Sequence, residues 1–208
     1  FVDGRYILQA KIQSGKMFKI INIPKEFPSD ILKNQKLNIG FDPKLHTEFM
    51  MQRFFRKSKC NLVPINQNLI NMIWSRKDMN KPNKFYKLRN KDAGKSSEEK
   101  IKKLLNELDS NKVDFQFVSS PENVAWLLNL RGLDSEFVPI PNSYLIISNK
   151  RKIYFFCDLK KVDQKLKKDL INIKIIDIKN IENFLSKFKG KIFQLDNSSC
   201  SLFFKNFI

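Results

Sequence analysis

The sequence predicts an α/β chain organised as two domains. Short apolar segments with strand alternation recur along it, stretches with helical spacing of apolar residues lie between them, and turn residues separate the two. The clearest unit spans 113–132. Val113-Asp114-Phe115-Gln116-Phe117-Val118 alternates apolar and polar residues, as a half-buried strand does. The helix that follows carries its own start signals. Ser120 can cap orphan N–H groups, Pro121 suits the first helical position, and Glu122 favours the positive end of the dipole. Val124, Leu127 and Leu128 fall on one face, and Gly132, free to take positive φ, is read as the stop.

The first half alternates in the same way. Phe1 to Tyr6 reads as a strand end and turn, and Ile7, Leu8, Ala10 and Ile12 as a short amphipathic helix closed by Ser14-Gly15. Phe18 to Ile21 is a short strand, and Pro28-Ser29-Asp30 opens a helical turn through Leu32. Leu37 to Phe41 is a strand ended by the turn pair Asp42-Pro43. Thr47 caps a helix carrying Phe49, Met50, Phe54 and Phe55, with cations toward its end. Asn61 to Ile65 is a strand and Asn68 to Trp74 a helix. A strand at the first residue needs neighbours, so the first domain, residues 1–80, is expected to be incomplete at its N-terminus. The Lys- and Asn-rich stretch 81–95 is read as a linker.

The second domain, 96–208, opens on a serine cap followed by Glu98 and Glu99, with Ile101, Leu104, Leu105 and Leu108 on one helical face and Asn111 as its left-handed stop. After the central unit, Ser143 to Ser148 and Ile153 to Asp158 form a hairpin around Asn149-Lys150. A polar helix near Gln164–Leu170, a strand at Ile173–Ile176, a helix from Ile181 to Phe188 ending at Gly190, and a strand at Ile192–Leu195 follow. Ser198 or Ser199 is the expected cap of a closing helix through Phe204.

Composition bounds the function. A chain of 208 residues with 42% hydrophobic residues and 19 Phe folds. The net charge of +18 raises the question of a polyanionic partner. Lys is scattered over every element, with Asn and Ile abundant too, which reads as compositional drift rather than a dedicated binding face. Cys60, Cys157 and Cys200 are well separated and odd in number, against a disulfide framework, and Cys157 lies in an apolar run as a buried free thiol. No stretch reaches the length of a membrane span. A cytoplasmic protein with no membrane partner is expected.

The chemistry is quiet. His46 is the only histidine and sits in a Pro-containing turn, where a partly exposed turn residue is the plain reading. No HExxH, phosphate-loop or dinucleotide motif is present, and the Asp residues are isolated. Trp126, Asn129 and Arg131 stand out. Either Trp126 is core and the rest a helix end, or Arg131 lies at a domain mouth, where it binds a carboxylate or locks an interdomain contact.

The residues carry a family resemblance. Phe1-Val2-Asp3-Gly4-Arg5-Tyr6 with Gln9 resembles the "TDGRY…Q" segment of Xaa-Pro aminopeptidase (aminopeptidase P), of the creatinase/prolidase group. Gly40 to Pro43 resembles its "GxDP" turn, and Asn61 to Ile65 with Asn68-Leu69-Ile70 and Ile73-Trp74 its "LVPV…NLVD.IW" segment. Ala93-Gly94, Ser97 and Glu99-Lys100-Ile101 are similar to "YAG.S..EKI", Asn123 to Gly132 to "IAWLFNLRG", and Pro141 to Tyr144 to the strand after it. Two departures are visible. The family's "DRP" reads Arg76-Lys77-Asp78, and Leu133 to Phe137 replaces the residues after "RG".

The resemblance implies two creatinase-N-terminal-like domains, each a mixed sheet flanked by helices, from the non-catalytic N-terminal part of the three-domain enzyme. The catalytic pita-bread domain, with two divalent metals (commonly manganese) on two Asp, a His and two Glu, is expected to be absent from this segment, which would hold no catalytic or metal residue. The implied partners are a peptide substrate with proline at its second position and a second copy in a homodimer. Asp3, Arg5, Tyr6, Trp126, Asn129 and Arg131 are the substrate-access or interface candidates. The rival from another class, a basic α/β nucleic-acid-binding module, needs one contiguous Lys/Arg face and exposed stacking aromatics. Most Phe sit at core spacing, so a nucleic-acid partner is not expected.

Overall fold

The computed structural model describes residues 1–74 and 83–208, which fall into two compact units, Phe1–Trp74 and Ser75–Ile208. The departure at Arg76-Lys77-Asp78 and the first two residues of the expected linker lie outside the described residues.

In the first unit β1 (Val2–Asp3) pairs in parallel with β2 (Asn22–Ile23), which begins just after the Phe18–Ile21 segment that the sequence suggested as the strand. A 3₁₀ turn at Gly4–Tyr6 leads into α1 (Ile7–Ser14), which buries none of its residues. Then come α2 (Pro28–Ile31) and β3 (Asn38–Phe41). The next helix is α3 (Glu48–Phe55), whose cap Thr47 accepts from the Met50 N–H as its sequence position predicts. After it β4 (Asn61–Pro64) pairs in parallel with β3, and α4 (Leu69–Ile73) is capped by Asn68.

The second unit is built on a mixed five-stranded sheet in the order β11-β6-β8-β9-β10, with β5 and β7 forming a separate pair. The elements are β5 (Tyr86–Lys87), α5 (Asn90–Ala93), α6 (Ser97–Ser110), β6 (Phe115–Val118), α7 (Pro121–Leu128) and β7 (Leu130–Arg131). They continue with β8 (Ser143–Ser148), β9 (Ile153–Cys157), α8 (Gln164–Asp169), β10 (Lys174–Asp177), α9 (Ile181–Leu185), β11 (Phe193–Gln194) and α10 (Leu202–Lys205). The outer pairs β10·β9 and β11·β6 are parallel and the inner pairs antiparallel.

Both faces of this sheet are covered, which is why its middle strands read as nearly continuous apolar runs. Strand alternation divides their side chains. Leu145, Ile147, Phe155 and Cys157 enter one core with Leu108, Leu128 and Leu166 from α6, α7 and α8. Ile146, Phe156, Phe115 and Phe117 enter the other, with Ile181 and Leu185 from α9 and, at its edge, Phe204 from α10. Most of the second unit's phenylalanines serve this second face: Phe115 stacks on Phe193 at 4.8 Å and Phe117 meets Phe204 edge-on at 5.5 Å.

Several sequence expectations are corrected. The stretch 81–95 is not a free linker where it is described, because residues 83–95 are built into the second unit. Phe85 is 2% exposed in the first core, its N–H donates to Lys161 O at 2.9 Å, and β5 pairs antiparallel with β7. The helix of the central unit stops at Asn129, which takes φ +55°, three residues before the Gly132 read as its stop, so Leu130 and Arg131 are free to pair as β7. Gly132 has another use: a Cβ there would lie 2.8 Å from the Phe85 ring and 3.0 Å from Pro141 Cα. Asn111 keeps negative φ and Lys112 takes the left-handed position after α6. The hairpin connection is longer than Asn149-Lys150, with Arg151 at φ +61°. Ser201, not Ser198 or Ser199, caps the closing helix. Ser120 flanks α7 as expected, but its hydroxyl makes no capping bond and is buried without a partner.

Two substitutions test the built-in segment. Phe85→Ala is expected to cost about 3–5 kcal/mol in urea unfolding. Gly132→Ala should cost about 1–3 kcal/mol by forcing the Phe85 ring aside. Values near zero for both would mean that residues 83–95 do not dock.

Candidate functional site

The structure places the six predicted site residues in two groups. In the first unit Asp3 ends β1 and its carboxylate closes the following turn. Oδ1 accepts from the Arg5 backbone N–H and from Nε, both at 2.9 Å, and Oδ2 accepts from Nη2 at 3.2 Å. The Arg5 guanidinium also lies 5.8 Å from the centre of the Tyr6 ring. The Arg5 side chain holds the Asp3 carboxyl below its ordinary value of 3.8, and Asp3 in turn raises the guanidinium. All three side chains are exposed, so this is a turn that satisfies itself and leaves an aromatic edge outside.

In the second unit Trp126, Asn129 and Arg131 converge on the C-terminal end of α7, joined by a residue that sequence reasoning missed. Lys100, on α6, is only 7% exposed. Its ammonium donates to Trp126 O at 2.7 Å and Asn129 Oδ1 at 2.5 Å, and lies 4.5 Å from the centre of the Trp126 ring. Asn129 Nδ2 donates to Lys95 O at 2.9 Å. The Arg131 guanidinium donates to Leu130 O at 2.7 Å and Ala125 O at 3.3 Å. Two cations thus sit on carbonyl oxygens at and just beyond the negative end of the helix. Among the described residues neither has a carboxylate partner. Burial, then the nearby Arg131 and Lys95 charges, push the Lys100 ammonium below the ordinary lysine value of 10.5.

The signal for Lys100 was present in the sequence. It stands four residues before Leu104, hence on an inward face of a helix otherwise flanked by solvated lysines. Asn129 is 2% exposed and is a joint rather than a contact surface, whereas Trp126 stays 59% exposed with Lys100 fixed beside its ring.

A second buried cation explains the segment that departs from the family pattern. Lys161 pairs with Asp134, both nearly inaccessible, and Asp134 Oδ2 accepts from the Asn142 N–H at 2.6 Å. This ties the 132–142 loop to the turn before α8. His46 is a turn residue, its Nδ1 2.9 Å from Asp42 O. Burial pushes the Cys157 thiol up to about 12 and the Cys200 thiol up to about 11, far from nucleophilic use at neutral pH. Among the described residues no group of three or more His, Cys, Asp or Glu is placed to hold a metal ion. Among them, too, no helix is long and apolar enough to cross a membrane.

Comparison with known proteins now bears on this geometry. The model of the creatinase/prolidase N-terminal domain matches residues 76–208. The chain belongs to that family. It is 30% identical over 166 residues to a probable Xaa-Pro aminopeptidase P of Coprinopsis cinerea, covering 74% of this chain and 26% of that protein. With aminopeptidase P1 of Lotus japonicus it shares 28% identity over 177 residues, 82% of this chain and 27% of the other. A crystal structure of X-prolyl aminopeptidase from Caenorhabditis elegans, described as a cytosolic enzyme with a di-nuclear active site, superposes with a TM-score of 0.79 at 27% identity. That match covers 90% of this chain and 32% of the worm enzyme. The chain therefore spans about a quarter to a third of the length of these relatives.

Two outcomes follow from the buried cations. Asp134→Ala leaves Lys161 charged and unpaired in the interior and is expected to cost about 3–5 kcal/mol in urea unfolding. A cost under about 1 kcal/mol would mean that water reaches the pair. For Lys100 the folded chain gives up its proton at lower pH than the unfolded chain. Between that depressed value and 10.5 the unfolded chain binds more protons, so stability due to Lys100 rises with pH across the window and is flat below it. Urea midpoints of the natural chain relative to Lys100→Met should move in favour of the natural chain as pH is raised toward 10.5. A pH-independent difference would show that burial leaves the lysine unperturbed.

Proposed function

We propose that this chain is the non-catalytic N-terminal part of a metal-dependent Xaa-Pro aminopeptidase, an enzyme that removes an N-terminal residue preceding proline. In this reading residues 1–74 belong to a first creatinase-like domain and 83–208 form a second. The carrying observation is the superposition on the worm enzyme, which takes in nine-tenths of this chain and one-third of the enzyme. The two divalent metals of the proposed parent enzyme, manganese by family resemblance, have no fitting donor set among the described residues. The proposal therefore assigns them to another part of the longer protein and routes no chemical step through this chain.

The role left to these residues is geometric. An enzyme that takes only a free N-terminus needs walls that admit an extended peptide and refuse a folded chain. The exposed Trp126, held beside the Lys100 ammonium, and the Asp3-Arg5-Tyr6 turn are rigid, partly aromatic features of the kind that anchor interfaces. The reading gives them to substrate access and to dimer contacts, with Asn129 and Arg131 as supports beneath. A cytoplasmic location fits the worm relative, which is described as cytosolic. A nucleic-acid role has less to build on, since Phe115, Phe117, Phe155 and Phe156 are consumed by the two cores.

Incubated with an Xaa-Pro peptide and manganese, the 208-residue chain should release no N-terminal residue. Saturable turnover abolished by a chelator would overturn the reading. In the longer protein, Trp126→Ala is expected to raise KM or weaken the dimer while kcat holds. A variant unchanged in both would remove Trp126 from the proposed role.

A further inference from the structure

The first unit carries a groove of about 400 Å³ between α2 and α3, a volume within the range of small-molecule sites. One face of α3 forms a wall of it. Phe49, Arg53, Arg56 and Lys57 stand at i, i+4, i+7 and i+8, the last two in the turn that closes the helix, and all four line the groove. Across from them lie Ser29 and Asp30 of α2 and Phe27 just before it.

Cations at the end of a helix suit its dipole, which accounts for their presence but not for what they face. The Arg53 guanidinium lies 5.1 Å from the centre of the Phe27 ring, and Phe27 in turn stacks on Phe54 at 6.0 Å. A guanidinium held by its flat face keeps its edge donors for a ligand. Arg53, Arg56 and Lys57 have no side-chain hydrogen bond or ion pair among the described residues. Asp30 is the one acid among the described residues that line the groove, and its carboxylate accepts from the Phe27 N–H at 2.8 Å. Three cations against one engaged carboxylate leave an excess of positive charge. That excess outweighs the roughly half a negative charge at the helix end. Ser29 is a separate sign of a ligand. It is 4% exposed and lines the groove, yet its hydroxyl has no hydrogen bond among the described residues. Phe49, 52% exposed, adds an aromatic surface beside the cations.

We propose that this groove binds a small aromatic phosphomonoester, its phosphoryl group among Arg53, Arg56 and Lys57 and its ring against Phe49. Two guanidinium forks meet phosphoryl oxygens in pairs, the ammonium adds a point charge, and the Ser29 hydroxyl donates once more. A dianion matches the excess charge of the lining, a monocarboxylate leaves part of it unmet, and a cation is repelled. The ring takes up the apolar surface of Phe49, which inorganic phosphate leaves bare. The proposal is independent of the peptidase reading and involves none of the residues assigned to it.

The test is a ¹H–¹⁵N NMR titration of the intact chain with phenyl phosphate, inorganic phosphate and phenol. Phenyl phosphate should give saturable shifts centred on the amides of Phe27, Ser29, Phe49, Arg53 and Lys57. Inorganic phosphate and phenol should each bind about tenfold more weakly. Arg56→Gln should weaken phenyl phosphate by about tenfold. Lys165→Gln removes the same charge from an exposed position on the second unit and should leave the affinity unchanged. Ser29→Ala separates binding from folding: no internal hydrogen bond of the hydroxyl is lost, so Tm should hold while affinity falls about fivefold. Equal affinity for inorganic phosphate and phenyl phosphate overturns the proposal. So do an absence of saturable shifts, shifts scattered over both units, full affinity in Ser29→Ala, or a Lys165→Gln effect equal to that of Arg56→Gln.

Discussion

The left-handed turn at Asn129 decides how the second unit closes. An α-helix that ends there must leave its last carbonyl oxygens facing the next segment, and something has to satisfy them. Lys100 does so from α6, Arg131 from the strand that follows, and the Asn129 amide joins the pair to the Lys95 carbonyl. With the chain turned, Leu130 and Arg131 run antiparallel to Tyr86 and Lys87, and the Leu88 N–H reaches Asn129 O at 2.8 Å. Phe85 is thereby drawn into the core, and Gly132 is left as the residue that must pass close to its ring.

Energetics favour reading this knot as architecture. An ammonium taken out of water without a counter-ion is costly unless fixed dipoles replace its hydration. Here the dipoles are the C-terminal carbonyls of α7, one side-chain amide and the electron-rich face of Trp126. That arrangement tolerates a cation by replacing its hydration with fixed dipoles, and a groove of about 330 Å³ lined by Lys100, Glu107, Gln116 and Trp126 adjoins it. The Asp134–Lys161 pair solves the same problem with a carboxylate, at the place where the loop after β7 returns to the sheet. Lys100 and Lys161, the two lysines buried among the described residues of a lysine-rich chain, are thus structural.

The α/β class and most elements of the second unit were legible in the sequence because binary pattern and capping chemistry agree there. Ser96 with Glu99 forms the reciprocal cap that its spacing announces, and the alternation in 143–157 survives as two faces of one sheet. What could not be read depends on contacts between distant residues. Nothing local to Phe85 or Tyr86 says that they dock, because their partners lie more than forty positions away at Leu130 and Arg131. Gly132 competed with Asn129 for the helix stop, and tertiary crowding against Phe85, invisible in sequence, had already claimed the glycine. Trp126, Asn129 and Arg131 were recognisable as a group. Lys100, which assembles them, was masked by the lysines around it.

A scaffold reading of the chain stands on the claim that the end of α7 is a joint held by Lys100 and Asn129 together. A double-mutant cycle in urea unfolding tests it directly, using Lys100→Met and Asn129→Gly, the latter keeping the left-handed backbone while removing the amide. The account predicts a coupling energy of about 0.5–3 kcal/mol between the two positions. Strict additivity, within about 0.3 kcal/mol, would contradict it and return these residues to the status of independent surface groups.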